Sequence, residues 1–182
     1  MTGVFITGTL GSVRPCSKLD GGVVNLQGAA MTNEAVNYMN QALERAKAGG
    51  DAGEVPVGAV LVERASGTVL AADHNQVETL NDPTAHAEMQ VIRAGAKSRG
   101  DKRLEGCDLY VTLEPCAMCA AAIAHARIGR VIFGAYDPKG GGVEHGARVF
   151  EQPTCHHKPE VVGGINEIEA GEILKTFFRE KR

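Results

Sequence analysis

Two rhythms of apolar and polar positions run along the 182 residues. From Thr32 onward, Val36, Met39, Leu43 and Ala46 recur at helical spacing and Gly49-Gly50 close the segment, which predicts an amphipathic helix. Val57 to Val62 is a short apolar run suited to a buried strand, with Thr68 to Ala72 as its hairpin partner across Ala65-Ser66-Gly67. Ala85 to Ala96 reads as helix, with Asp82 or Thr84 as N-cap and Pro83 near the first turn. Leu109 to Leu113 is a strand, Cys116 to Arg127 a helix, and Val131 to Gly134 a further strand. Asp137 to Gly146 is a glycine-rich loop. Ile168, Ile173, Leu174, Phe177 and Phe178 outline a last helix whose phenylalanines are expected in the core. Strands alternating with helices imply an α/β fold with a largely buried sheet.

Residues 1–30 follow neither rhythm and are rich in Gly, Ser and Thr. They are expected to form a poorly ordered extension, with the folded domain running over residues 31–182 from Met31. Arg14 and Lys18 outnumber Asp20 there, the weak signature of a transit peptide, but no basic region precedes the mildly apolar start, so a secretory signal is not expected. No apolar run approaches the roughly 20 residues that span a bilayer.

Composition adds the expected compartment. The five cysteines (Cys16, Cys107, Cys116, Cys119 and Cys155) are odd in number, which argues against a disulfide framework. They fit a reducing, cytoplasmic setting where thiols stay free or bind metal. The formal net charge of −3 gives no global attraction to nucleic acid, so any RNA partner needs a local basic patch.

Chemistry concentrates in Thr84-Ala85-His86-Ala87-Glu88 and Leu113-Glu114-Pro115-Cys116-Ala117-Met118-Cys119. Alone, the Cys-x-x-Cys could be a redox pair or half a zinc knuckle, and His86 a capping residue. Together, His86, Cys116 and Cys119 make three soft or borderline ligands suited to zinc. One helical turn sets both sulfurs on one side, and Pro115 suits a helix opening whose free amides stabilise thiolates. A structural zinc is normally closed by four protein ligands, and no obvious fourth is present, so a place is left for water. Glu88, two residues beyond His86, is too near to be a comfortable co-ligand and is free to act on that water.

His-Ala-Glu followed by Pro-Cys-x-x-Cys resembles the signature of the cytidine deaminase-like superfamily. Glu54-Val55-Pro56-Val57-Gly58-Ala59-Val60, Asn81 to Glu88, Tyr110 to Cys116 and Ala126-Arg127-Ile128-Gly129-Arg130-Val131 are similar to the bacterial tRNA-specific adenosine deaminases. That resemblance covers nearly all of residues 31–182. It implies a three-layer α/β/α sandwich with a mixed sheet of about five strands, a Zn2+ cofactor held by His86, Cys116 and Cys119, and a homodimer. It also implies hydrolytic conversion of adenosine to inosine at the wobble position of the tRNA anticodon loop. Zinc hydroxide would attack C6, and Glu88 would shuttle protons from the water to N1 and on to departing ammonia.

Other positions carry over from the resemblance with alternatives open. Asn75, eleven residues before His86, matches a substrate-contacting asparagine, or is simply a turn residue after the hairpin. Asp137 and Lys139 match an anticodon-contacting pair, or form a solvated Asp-Pro turn. His125 matches a residue near the substrate ribose, with an equally good reading as a helix-face histidine. The stretch Gly140-Gly141-Gly142-Val143-Glu144-His145-Gly146 departs from the more usual Gly-Ala-x-Gly-Ser of the family. Cys155-His156-His157 invites a second-metal reading, but adjacent side chains diverge. The basic end, Arg179 to Arg182, complements a helix C-terminus and offers cations to RNA. A guanine or other free-base deaminase of the same superfamily is the rival enzyme, and a catalytically silent zinc subunit the non-enzymatic alternative.

Overall fold

The computed structural model of the chain describes residues 26–181, with side chains from residue 35 onward. The elements run α1 (Leu26–Asp51), β1 (Gly58–Glu63), β2 (Thr68–His74), α2 (Val77–Leu80), α3 (Ala87–Arg99), β3 (Cys107–Leu113), α4 (Ala117–His125), β4 (Arg130–Ala135), a 3-10 turn (Val149–Glu151), β5 (Glu160–Val162) and α5 (Glu167–Glu180). The segment read as an extension, residues 1–30, lies outside the described residues except for the stretch where α1 begins at Leu26, ahead of Met31. Cys16 and Arg182 also lie outside them.

The five strands form one sheet in the order β2-β1-β3-β4-β5. β1 pairs antiparallel with β2 and β3, whereas β3, β4 and β5 are parallel, so the sheet is mixed. Because successive side chains point to opposite faces, each central strand feeds two cores. Ala59, Leu61, Leu109, Val111, Val131 and Phe133 pack with Val91 of α3 and Ala120 and Ile123 of α4. Their neighbours Val60, Val62, Tyr110 and Ile132 pack with Met39, Ala42 and Leu43 of α1 and Ala170 of α5. Helices therefore cover both faces, and β1 is apolar almost throughout because neither face meets water, while the two buried polar residues of β3 are paired, Asp108 with Arg64 and Thr112 with the Gly58 amide. This is the expected three-layer α/β/α sandwich. Gly58 lets α1 lie close against β1: a Cβ there would sit 2.1 Å from the Ala42 carbonyl oxygen.

The structure departs from the sequence reading at element ends. β5 is only three residues long and carries too little pattern to register, and α2 is a single turn. Neither Asp82 nor Thr84 caps α3; they close an Asx turn in which the Thr84 amide and hydroxyl both donate to Asp82 Oδ1, and His86 takes the N-cap. Ile168 is 83% exposed and Phe178 is 49% exposed, so only part of the apolar stripe enters the core, with Ala170 as its buried residue in the first turn. No helix among the described residues is long and apolar enough to cross a membrane.

Candidate active site

Two helix starts converge at the carboxyl end of β3. His86 is the N-cap of α3 and Cys116 the N-cap of α4; both have extended backbones, and neither side chain is spent on capping. That leaves the imidazole and the thiol free to face each other across the gap. Cys119, one turn into α4, is fully buried behind them. His86 Nδ1 stands 3.7 Å from Cys116 Sγ and 3.5 Å from Cys119 Sγ. The three ligand atoms lie within 4.8 Å of one another, and among the described residues no other group of three His, Cys, Asp or Glu side chains converges this way.

The spacing fits a tetrahedral zinc. With Zn–S about 2.3 Å and Zn–N about 2.0–2.1 Å, tetrahedral geometry sets sulfur and nitrogen about 3.6 Å apart. The electrostatics agree. A hydrogen bond from the Cys119 thiol pulls the Cys116 thiol down to about 4, with His86 assisting, and the same contact pushes Cys119 up. The bond with Cys116 raises the His86 imidazole. Three donors competing for protons are donors that one cation satisfies together. The positive ends of α3 and α4 further favour thiolate at this spot.

Glu88 lies one turn-start beyond His86, in the first turn of α3, and is 4% exposed. Burial raises its carboxyl above the ordinary range, which suits a group that must both take and return a proton. His86, Glu88 and Cys116 border a cavity of about 250 Å3 whose other walls are Val55, Val57, Asn75, Leu113, Glu114, Asp137 and Gly140. Ligand pockets run from roughly 300 Å3 upward, so this one suits a single small group such as a base.

Of the remaining sequence candidates, Asn75 and Asp137 reach the cavity wall. Asn75 is buried, and its Nδ2 donates to Glu54 Oε2 at 3.1 Å. Asp137 Oδ1 accepts the amides of Lys139 at 3.1 Å and Gly140 at 3.0 Å, so one oxygen of that carboxylate serves its own turn. Lys139 is exposed on the same loop and is not part of the wall. His125 sits at the far end of α4. The Cys155-His156-His157 run does not gather a metal: Cys155 Sγ donates to the His157 carbonyl, and His157 Nε2 pairs with the Ile128 carbonyl at 2.6 Å.

Two buried carboxylates escaped the sequence reading. Glu54 is fully buried and accepts the Thr79 amide at 2.7 Å, the Glu78 amide at 3.2 Å and the Asn75 amide group. Against the cost of burial, these bonds hold its carboxyl below the ordinary value. Glu114 is held low in the same way, burial being outweighed by the His145 and Asp137 amides and the His145 ring. Each precedes a proline by one or two residues, the only local hint that its backbone is constrained.

Residues 32–135 match the family described as cytidine and deoxycytidylate deaminase zinc-binding region. A tRNA-specific adenosine deaminase from Agrobacterium fabrum is 56% identical over 149 residues, which span 82% of this chain and 97% of the relative. The chain belongs to the tRNA-specific adenosine deaminase family. Its member from Bacillus subtilis is 48% identical over 145 residues, covering 80% of this chain and 89% of that one. A solved structure from a study of A-to-I editing by tRNA:A34 deaminases at the wobble position of transfer RNA superposes with a TM-score of 0.74. It is 56% identical and covers 76% of this chain and 99% of its own. The protein is thus a zinc-dependent deaminase with the cytidine deaminase-like fold.

Proposed function

We propose that this chain hydrolytically deaminates adenosine to inosine at the wobble position of a tRNA anticodon loop. The observation that carries the reading is the grouping of His86 Nδ1, Cys116 Sγ and Cys119 Sγ at zinc spacing, with a buried Glu88 beside them on a base-sized cavity. In it, His86, Cys116 and Cys119 hold the metal. Zinc, when bound, supplies Lewis acidity that makes a water acidic near neutral pH.

The chain's own residues do the rest. Glu88 accepts a proton from the attacking water and returns it at N1 of adenine, so that the water oxygen adds to C6 without a full charge accumulating on the ring. A second transfer through the same carboxylate accompanies cleavage of the C6–N bond and leaves ammonia and inosine. Burial favours the protonated form of Glu88, which makes the return step easier. Asn75, fastened by Glu54, orients the base. Asp137 and Lys139 meet the anticodon backbone beside the cavity, with Arg179 and Arg182 as further cations. The working unit is a cytoplasmic homodimer, and residues 31–182 are the catalytic domain.

The test is incubation with an ACG-anticodon tRNA, reading inosine by sequencing, against ammonia release from free guanine. Inosine at the first anticodon position supports the reading. Rapid turnover of guanine with none of tRNA replaces it with the free-base deaminase.

A further inference from the structure

The loop between β4 and the 3-10 turn contributes Asp137 and Gly140 to the cavity, yet its composition disfavours any fixed shape. Gly140, Gly141, Gly142 and Gly146 all lose more conformational freedom on ordering than other residues. One carboxylate gathers both ends of it. Glu114 Oε1 accepts the amides of Val143 at 3.3 Å, Glu144 at 2.9 Å and His145 at 2.9 Å. Its Oε2 accepts the Asp137 amide at 3.1 Å and pairs with His145 Nδ1 at 2.7 Å. A carboxylate only accepts, so Nδ1 carries the proton in that pair. The Glu114 side chain is 0% exposed.

Close packing completes the arrangement. A Cβ on Gly141 would stand 2.6 Å from the Glu114 carboxyl carbon, and one on Gly142 would stand 2.4 Å from the Ala117 amide nitrogen. The Gly142 amide donates to the Pro115 carbonyl at 2.8 Å, and Gly141 bridges to Cys116. Gly141 and Gly142 therefore let the loop backbone lie directly on the start of α4. With five donors on two oxygens, Glu114 has no capacity left for a substrate proton, although it borders the cavity.

We propose that Glu114 and His145 are positioning residues: together they clasp the Asp137–His145 loop into a preset wall of the substrate cavity, with His145 closing the clasp from the loop side. The inference rests on the cavity being the substrate site. The clasp acts on binding, because ordering the wall in advance removes an entropy cost that substrate would otherwise meet.

The experiment compares Glu114→Gln, His145→Ala and His145→Asn with the zinc-loaded full chain. Asn is the conservative variant, since its amide presents an N–H near the place of Nδ1. Hydrogen exchange at Val143, Glu144 and His145 is read without substrate, together with zinc content and steady-state kinetics on an ACG-anticodon tRNA. In Glu114→Gln and His145→Ala, protection of those amides falls and KM rises, each by about tenfold, the effect of losing one hydrogen bond to a charged group. The kcat stays within about threefold and zinc content matches wild type, as for a loss of uniform binding. His145→Asn recovers most of both losses. Wild-type protection and KM in His145→Ala overturn the clasp, as does a loss confined to kcat or zinc, or a His145→Asn no better than Ala. If wild type fails to edit the tRNA, the functional reading fails, while the exchange arm still decides the clasp. Should Glu114→Gln not fold, the two His145 variants decide it alone.

Discussion

Replacing Glu88 by Gln separates proton transfer from metal binding. The side chain is 4% exposed inside the first turn of α3, and the amide matches the carboxylate in volume, so no cavity opens and no core contact is lost. His86, Cys116 and Cys119 are untouched, and the packing around the side chain is expected to stay as it is. In the proposed mechanism, what disappears is the ability to take a proton from water and give it to the base. General acid–base assistance is worth about 10²–10⁴-fold. Here one group serves successive transfers, which puts the loss at or above the upper end, about 5.5 kcal/mol of activation free energy. The assay is single-turnover inosine formation on an ACG-anticodon tRNA with enzyme in excess, alongside elemental analysis for zinc and an equilibrium measurement of tRNA affinity. Zinc and affinity should stay near wild type while the rate falls by about 10⁴. A variant that deaminates within about tenfold of wild type, or that loses its zinc, refutes the shuttle role.

Cys116→Ala removes an N-cap ligand and should lower both zinc content and melting temperature, since such binding is worth about 10 kcal/mol or more when coupled to folding; full zinc occupancy in the variant would sink the assignment. Neutralising Lys139, Arg179 and Arg182 should flatten the dependence of log affinity on log salt by about 2, at ~0.7 per phosphate contact on single-stranded RNA, with zinc unchanged. A salt-independent affinity of the wild type would contradict this. Against the cost of burial, hydrogen bonds from Thr79, Glu78 and Asn75 hold the Glu54 carboxyl below its unfolded value, so its contribution to stability is complete above that unfolded value and is lost as pH falls through the lowered folded one. Glu54→Gln should therefore be less stable than wild type at pH 7, with the gap in melting temperature closing on acidification; a gap that widens in acid would show the sign to be wrong.

The grouping of His86, Cys116 and Cys119 was legible because each is a rare side chain whose chemistry narrows its uses, and because Cys116 and Cys119 are brought together by a single helical turn. Their partner His86 is 30 residues before Cys116, beyond the reach of any local pattern, so ligand chemistry proposed the trio and the motif resemblance supported it. Glu54 and Glu114 were illegible for the opposite reason. A glutamate in a sequence reads as solvated, and these acquire meaning only through amides 21 to 31 residues away. The central strands were readable because they are apolar on both faces; β5, with three residues at the sheet edge, gave no period to find. At α5, periodicity placed Ile168 on the apolar stripe, but it is Ala170, too small to mark a stripe, that the first turn buries.

That His86 and Cys116 cap different helices also bears on what a bound ion does for stability. Neither α3 nor α4 alone offers more than two of the three donors, and each donor points correctly only once its helix has docked on the sheet. A bound ion therefore ties the docked positions of α3 and α4 to each other, and stabilises the chain by binding its folded form and not the unfolded one. Zinc release during unfolding is thus expected to report separation of the two helices, because the donor set is complete only while both are docked.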